Sequence, residues 1–168
     1  TINFGILYGM GAHRLSGELG ISYEDAQNFI VRYFDLYPGI SEYIKVTLDF
    51  CYDRGYVETL LGRRRPIVGV YSSRSVLKEA SQRIAYNMPI QGTAADIIKL
   101  AMVRLDPQLR AVGARLLLQV HDELVVESPV EHCEIVLQLL KEEMENVFPL
   151  DVPLCVDTGF GATWFEAK

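Results

Sequence analysis

The run Arg115-Leu-Leu-Leu-Gln-Val-His-Asp-Glu-Leu-Val-Val-Glu127 constrains the fold more than any other stretch. Leu116, Leu117, Leu118 and Val120 precede three consecutive ionisable residues, His121, Asp122 and Glu123. Leu124, Val125 and Val126 follow them. Short apolar runs of this kind predict strands with both faces covered. Three ionisable groups inside such a run are costly to bury without partners. Either the chain turns at the triple and exposes it, or a cation meets it. A tight hairpin satisfies both conditions, because its tip can offer two carboxylates to a metal ion.

Downstream, Ser128-Pro129-Val130-Glu131 predicts a helix start, with Ser as cap, Pro first and Glu third. Cys133, Val136, Leu137, Leu140, Met144 and Val147 make its buried stripe. Glu131, Glu134, Glu142, Glu143 and Glu145 make a solvated outer face. These acids carry much of the formal net charge of −6. A negative balance alone argues mildly against a nucleic-acid partner. Here five of the 22 acids share one helix face, so the balance does not describe every surface. Val152–Asp157 reads as a final strand. Gly159-Phe160-Gly161 has no helix after it and is not a dinucleotide loop.

Upstream, Ser72 or Ser73 starts a helix whose apolar side is Val76, Leu77, Ala80, Ile84 and Met88. Pro89 and Gly92 predict a kink or break. Thr93 with Asp96 gives a second capping signal, and the helix resumes through Ile97, Ile98, Ala101, Met102 and Leu105. Arg83, Asn87 and Gln91 recur every four residues and share one polar face. That face is either solvated or a row of donors against a DNA minor groove, where acceptors lie in similar places for every base pair. Tyr56–Val70 predicts a hairpin turning near Leu61-Gly62. On it, Arg63, Arg64 and Arg65 form the one basic run, either a solvated face or a phosphate contact.

Nearer the start, Ser22 with Asp25 resembles a capping box. Tyr23, Ala26, Phe29, Ile30, Tyr33, Phe34 and Tyr37 then form a helical stripe, read as core and helix packing, which ends at Pro38-Gly39. A further helix turns Ile40, Tyr43, Ile44, Thr47, Leu48 and Cys51 inward and stops near Gly55. Ile2–Met10 reads as the inside of a helix with Phe4 and Tyr8 on one face. Gly5 and Gly9 weaken that helix and let something approach closely. The two aromatics are either core at a helix end or part of a binding face.

A length of 168 residues suits about one domain, and 49% apolar residues are enough for a core. No run is long enough to span a membrane, and the start is no signal peptide. Cys51, Cys133 and Cys155 are scattered, which argues against a disulfide framework or zinc site and fits a reducing cytoplasm. No Ser or Cys has a recognisable nucleophile setting, and His13 and His132 fall on ordinary stretches, which argues against a hydrolase. The order of elements predicts an α+β fold, an antiparallel sheet with helices on one side.

Three segments together resemble family A DNA polymerases. Thr1-Ile-Asn-Phe-Gly-Ile-Leu-Tyr-Gly-Met10 resembles the nucleotide-binding fingers helix. Gln119-Val-His-Asp-Glu-Leu-Val-Val-Glu127 resembles the palm carboxylate motif. Gln82-Arg-Ile-Ala-Tyr-Asn-Met-Pro-Ile-Gln-Gly-Thr-Ala-Ala-Asp96 resembles the stretch between them, and Gly55–Arg65 also fits. The motifs occur in the family's order and spacing across essentially the whole chain.

The resemblance implies a bacterial enzyme of template-directed DNA synthesis, working on primer–template DNA and dNTPs with two Mg²⁺ ions. Asp122 matches the aspartate that bridges the two ions, Glu123 its auxiliary neighbour, and His121 a residue near the primer terminus. Tyr8 matches the tyrosine beside the templating base, and Phe4 the aromatic against the incoming sugar. Arg83, Asn87 and Gln91 match residues lining the minor groove, and Arg63 and Arg64 are candidates for DNA contact. It further implies fingers helices and a return to the palm over 1–55, and palm over 56–168. The intact protein is expected to be a bacterial cytoplasmic monomer associated with the nucleoid, not with a membrane.

The family's triphosphate-binding lysine and arginine precede the position of Thr1, and its second palm aspartate also lies upstream. The chain therefore reads as the C-terminal piece of a polymerase domain. The isolated piece is expected to be inactive, since one aspartate cannot hold both ions. A competing class is a nucleic-acid-binding module, or a homologue that has lost catalysis. An Asp-Tyr-Ser strand and an Arg…Lys pair upstream of Thr1 would discriminate.

Overall fold

The computed structural model describes residues 2–167. Thr1, the first residue of the fingers motif, and Lys168 lie outside the described residues. The fold is α+β, with two separate two-stranded antiparallel hairpins among the described residues rather than one sheet. The chain divides into two compact units, one ending at Thr93 and one beginning at Ala94.

The first unit begins with α1 (Ile2–Leu7), shorter than the helix expected over Ile2–Met10. Gly9, at φ +88°, turns the chain before Met10. α2 (Ala12–Leu19) follows, then α3 (Tyr23–Leu36). The Ser22 hydroxyl caps α3 as expected, accepting from Asp25 N at 3.0 Å. The α3 stripe is less buried than predicted. Ala26 is its one fully buried residue, while Tyr23, Phe29 and Tyr37 are exposed. α4 (Pro38–Arg54) starts on Pro38, stops at left-handed Gly55, and buries Cys51.

β1 (Tyr56–Glu58) and β2 (Arg64–Pro66) form the first hairpin, with Gly62 at φ +81° in its turn. A 3₁₀ turn over Val68–Tyr71, not predicted, leads to α5. Cys51, Val57, Ile67, Val70, Ala85 and Met88 are the core of this unit.

α5 (Ser75–Ala111) is one helix of 37 residues, without the break expected at Pro89 and Gly92. Proline removes one helical donor, and tertiary partners steady the surrounding turns. The Tyr43 hydroxyl donates to Tyr86 O at 2.8 Å. Arg63 Nη2 donates to Gly92 O at 3.0 Å. Thr93 is no cap; its buried hydroxyl accepts from Leu60 N at 3.0 Å. The buried face also differs from the expected stripe. Met88 is buried as expected, but Ser81 and Ala85 take the rest of the buried face, whereas Val76, Leu77 and Ile84 are exposed. Small residues let the first hairpin and its 3₁₀ turn come close.

In the second unit, the C-terminal part of α5 meets β3 (Arg115–Val120), β4 (Glu123–Glu127) and α6 (Cys133–Glu145). Leu105, Leu109, Val136, Leu140 and Val147 anchor the core, with Leu116, Leu124 and Val126 packed on it. Each such side chain contributes roughly 1.5–3 kcal/mol by leaving water. The strands are covered on one face only, since Leu117 and Leu118 are about half exposed. A bulge between Leu116 and Leu118 shifts the register there.

Ser128 does not cap α6. Its hydroxyl donates to Pro129 O, and a 3₁₀ turn over Val130–His132 delays the helix to Cys133. Glu143 and Glu145 are not simply solvated. Glu143 accepts from Gln108 Nε2 at 2.9 Å, and Glu145 accepts from Val156 N at 2.9 Å. That second bond ties down Val152–Asp157, which runs as irregular chain rather than the expected strand.

Candidate functional site

In the second unit the ionisable triple lies at a hairpin tip. Val120 pairs with Glu123, so His121 and Asp122 are the two turn residues. Two-residue turns need a positive φ, which matches the twist of the flanking strands. His121 supplies it at φ 55°. Histidine tolerates this region better than most side chains, at a cost of roughly 1–2 kcal/mol relative to glycine. The Gln119 carboxamide donates to the His121 carbonyl and braces the turn. At the open end, Arg115 pairs with Glu127 at 2.6 Å.

His121, Asp122 and Glu123 are all exposed. The tip thus offers Asp122 Oδ and the neighbouring Glu123 carboxylate as hard oxygen donors. Mg²⁺ is commonly held by one or two carboxylates, with waters and phosphate oxygens filling the remaining positions. The donor set fits such an ion. Among the described residues no cluster of three or more His, Cys, Asp or Glu could enclose one.

In the first unit, Phe4 and Tyr8 stand together at the end of α1. Tyr8 N donates to Phe4 O at 2.9 Å, which keeps the two side chains one turn apart on one face. Both are exposed. They line a recess of about 530 Å³ with Gly5, Gly9, Met10, Gly11, Arg14 and Arg83. The structure thus brings Phe4 and Tyr8 to the same recess as Arg83. Gly9 packs directly on α5: a Cβ there would overlap the Tyr86 hydroxyl and stand 2.7 Å from Arg83 Cδ.

The 3.6-residue period puts Arg83, Asn87 and Gln91 on one stripe of the uninterrupted α5. Arg83 and Gln91 are exposed and Asn87 is half-buried. The hairpin arginines differ from one another. Arg63 reaches Gly92 O, as above. Arg64 pairs with Glu58 at 3.2 Å and lies over the Tyr56 ring at 4.7 Å.

The phenols of Tyr43 and Tyr86 are both pushed above the ordinary tyrosine value. Burial is the main cause for each; a Thr47 hydrogen bond partly offsets it at Tyr43, and the Arg83 cation at Tyr86. The folded state therefore favours the neutral phenols. That contribution is complete below pH 10.0, the value without burial, and is lost as pH rises through the folded values. The unfolding temperature should accordingly fall as pH rises beyond 10.0. A Tyr43→Phe/Tyr86→Phe double variant should show a shallower alkaline fall by calorimetry, and an unchanged slope would refute the assignment.

The model of DNA polymerase family A matches residues 1–166. The chain belongs to that family. It is 61% identical over its full length to a DNA polymerase I of Deinococcus radiodurans, of which it covers 18%. It is 57% identical to the thermostable DNA polymerase I of Thermus aquaticus, covering all of this chain and 20% of that protein. Among solved structures it resembles the POL domain of Pol1 from M. smegmatis, described as a complex with DNA primer-template and dNTP. The TM-score is 0.93 at 42% identity, over 99% of this chain and 30% of that one. The chain thus spans about a fifth of the length of these curated relatives.

Arg14 and Tyr86 were not singled out from the sequence, and Tyr43 was read there only as an inward-facing helix residue. Arg14 lines the recess although its side chain is also paired with Glu18 at 2.9 Å. Tyr86 lies three residues after Arg83 within the matched stretch, so helical spacing could have flagged it. Nothing in the sequence linked Tyr43 to it.

Proposed function

We propose that this chain carries part of the active site of a bacterial DNA polymerase, which extends a primer from dNTPs along a DNA template. Asp122 carries this reading: an exposed carboxylate in a two-residue turn, in a chain whose family is that of template-directed polymerases. Phosphoryl transfer asks a protein mainly for positioning and charge neutralisation. Two bound Mg²⁺ ions would supply activation of the primer hydroxyl and charge stabilisation at the leaving pyrophosphate. Asp122 is the residue of this chain to hold them, with Glu123 auxiliary and further donors from outside it. His121 would stand beside the primer end.

Phe4 would pack on the incoming sugar and Tyr8 beside the templating base. Arg83, Asn87 and Gln91 would donate to minor-groove acceptors, testing pair shape rather than sequence. Arg63 and Arg64 would approach the DNA from their hairpin, with Arg63 already bracing it. Residues 1–55 would form fingers helices and the return, and 56–168 palm. Among the described residues no helix is long and apolar enough to cross a membrane. We place the intact protein, as a monomer, in the bacterial cytoplasm with the nucleoid.

The test is primer extension with Mg²⁺ and all four dNTPs. The intact protein should extend the primer, and the isolated 168-residue chain should not. An intact protein that binds primer–template but never extends it would leave a binding module instead. Extension by the isolated chain would refute the need for outside donors.

A further inference from the structure

We propose that Tyr86 is a positioning residue of the nucleotide site: with the stem of Arg83 it forms a seat for the turn at Gly9, and this seat sets where Tyr8 stands. The inference rests on the polymerase reading above and adds Tyr86, which that reading leaves without a role.

Three observations converge on Tyr86. The first is the closeness of Gly9. A Cβ at Gly9 would overlap the Tyr86 hydroxyl and stand 2.7 Å and 2.9 Å from Arg83 Cδ and Cγ. The backbone of the turn therefore rests directly on the two side chains, and Gly9 also has φ +88°. The second is support from behind. Tyr43, on α4, donates its hydroxyl to Tyr86 O at 2.8 Å. That bond falls in the turn of α5 that leads into Pro89, where the proline cannot donate to Ala85 O. The third is continuity with the recess. Gly9 N donates to Ile6 O at 3.0 Å and Met10 N to Gly5 O at 2.7 Å, so the turn is bonded back onto α1. Tyr8 is exposed and immediately precedes Gly9. Its side chain is placed by the backbone beneath it more than by packing around it. Arg83 is both half of the seat and a wall of the same recess. A shift of the seat would move Tyr8 and Arg83 together.

The experiment is a double-mutant cycle in the intact polymerase, using Gly9→Ala, Tyr86→Phe and both together, with Tyr86→Leu as an independent variant. Single-nucleotide insertion kinetics and thermal unfolding are read for each. Gly9→Ala should raise the KM for dNTP by about tenfold, with a smaller change in kcat, because misplacement weakens nucleotide binding before it alters the chemistry. Tyr86→Phe alone should raise KM by less than about threefold, since the ring still seats the turn. In the double variant the overlap with the hydroxyl is gone while Arg83 Cγ and Cδ remain, so KM should recover in part. Tyr86→Leu, which keeps apolar bulk but loses the ring, should raise KM by about fivefold or more.

Additive single effects, or a Tyr86→Leu enzyme with wild-type KM, would overturn the proposal. If Gly9→Ala does not fold, the KM of Tyr86→Leu decides. A wild-type protein that inserts no nucleotide would instead overturn the polymerase reading. The unfolding temperatures would then decide the contact: non-additive shifts between Gly9→Ala and Tyr86→Phe support it, and additive shifts refute it.

Discussion

Replacing Asp122 with alanine should lower single-nucleotide insertion by the intact protein by about 10³-fold or more, the loss that the proposed metal-holding role requires. The unfolding temperature should hardly move. Asp122 is exposed in a two-residue turn, and the positive φ of that turn belongs to His121. The tip keeps its shape through the pairing of Val120 with Glu123 and the Gln119 bond to the His121 carbonyl. Loss of activity without loss of stability is thus the expected signature. Primer–template affinity, measured by fluorescence anisotropy without dNTP, should change by less than about threefold, because phosphate and groove contacts dominate DNA binding. Glu123→Gln should cost much less, about tenfold, under the auxiliary role proposed for it, since Asp122 remains. An Asp122→Ala enzyme that inserts within tenfold of wild type, on a scale where each factor of ten is about 1.36 kcal/mol, would refute Asp122 as a metal holder.

The hairpin tip was legible because two simple rules agreed on it. An apolar run cannot absorb His121, Asp122 and Glu123, and a two-residue turn exposes them at little cost. Capping chemistry was legible at Ser22, where the hydroxyl had a backbone N–H within reach. It misled at Ser128, whose hydroxyl turns to its own neighbour's carbonyl. The continuity of α5 was not legible. Pro89 and Gly92 break isolated helices, and the groups that steady those turns come from Tyr43 and Arg63, 43 and 29 residues from the carbonyls they reach. The buried stripe of α5 was misassigned for a related reason. Hydropathy favours Val76 and Ile84, whereas close approach selects Ser81 and Ala85. The bulge at Leu116/Leu118 similarly hid which β3 side chains face the core. At the recess, Gly9 could be flagged for close approach, but its contact with Tyr86 and Arg83 could not. Local chemistry showed in the sequence; contacts between distant segments did not.

Two helix-interior glycines should respond to side chains in opposite directions. Glycine in a helix costs about 1 kcal/mol relative to alanine, so an unhindered replacement stabilises. Gly17 in α2 is such a case, since a Cβ there would meet nothing within 4 Å. Gly17→Ala should raise stability by up to about 1 kcal/mol. Gly92 is the reverse. Its Cβ would stand 2.6 Å from Thr59 Cγ2, 3.3 Å from Arg63 Nη2 and 3.4 Å from Met88 Cε. Thr59 is buried, and its hydroxyl accepts from Arg63 N at 3.1 Å, so its methyl cannot swing away without breaking that bond. The hairpin must lift instead, straining the Arg63 bond to Gly92 O and the Leu60 bond to Thr93. Each bond contributes about 0.5–1.5 kcal/mol, and overpacking adds about 1–3 kcal/mol. For Gly92→Ala the helical gain offsets part of this, leaving a net loss of about 1–2 kcal/mol. Gly92→Val adds branched bulk with no better helix propensity and should lose about 3 kcal/mol or more. Urea unfolding of the three variants checks the order. A Gly92→Val protein as stable as Gly17→Ala would show that the hairpin is not seated on α5 through this glycine.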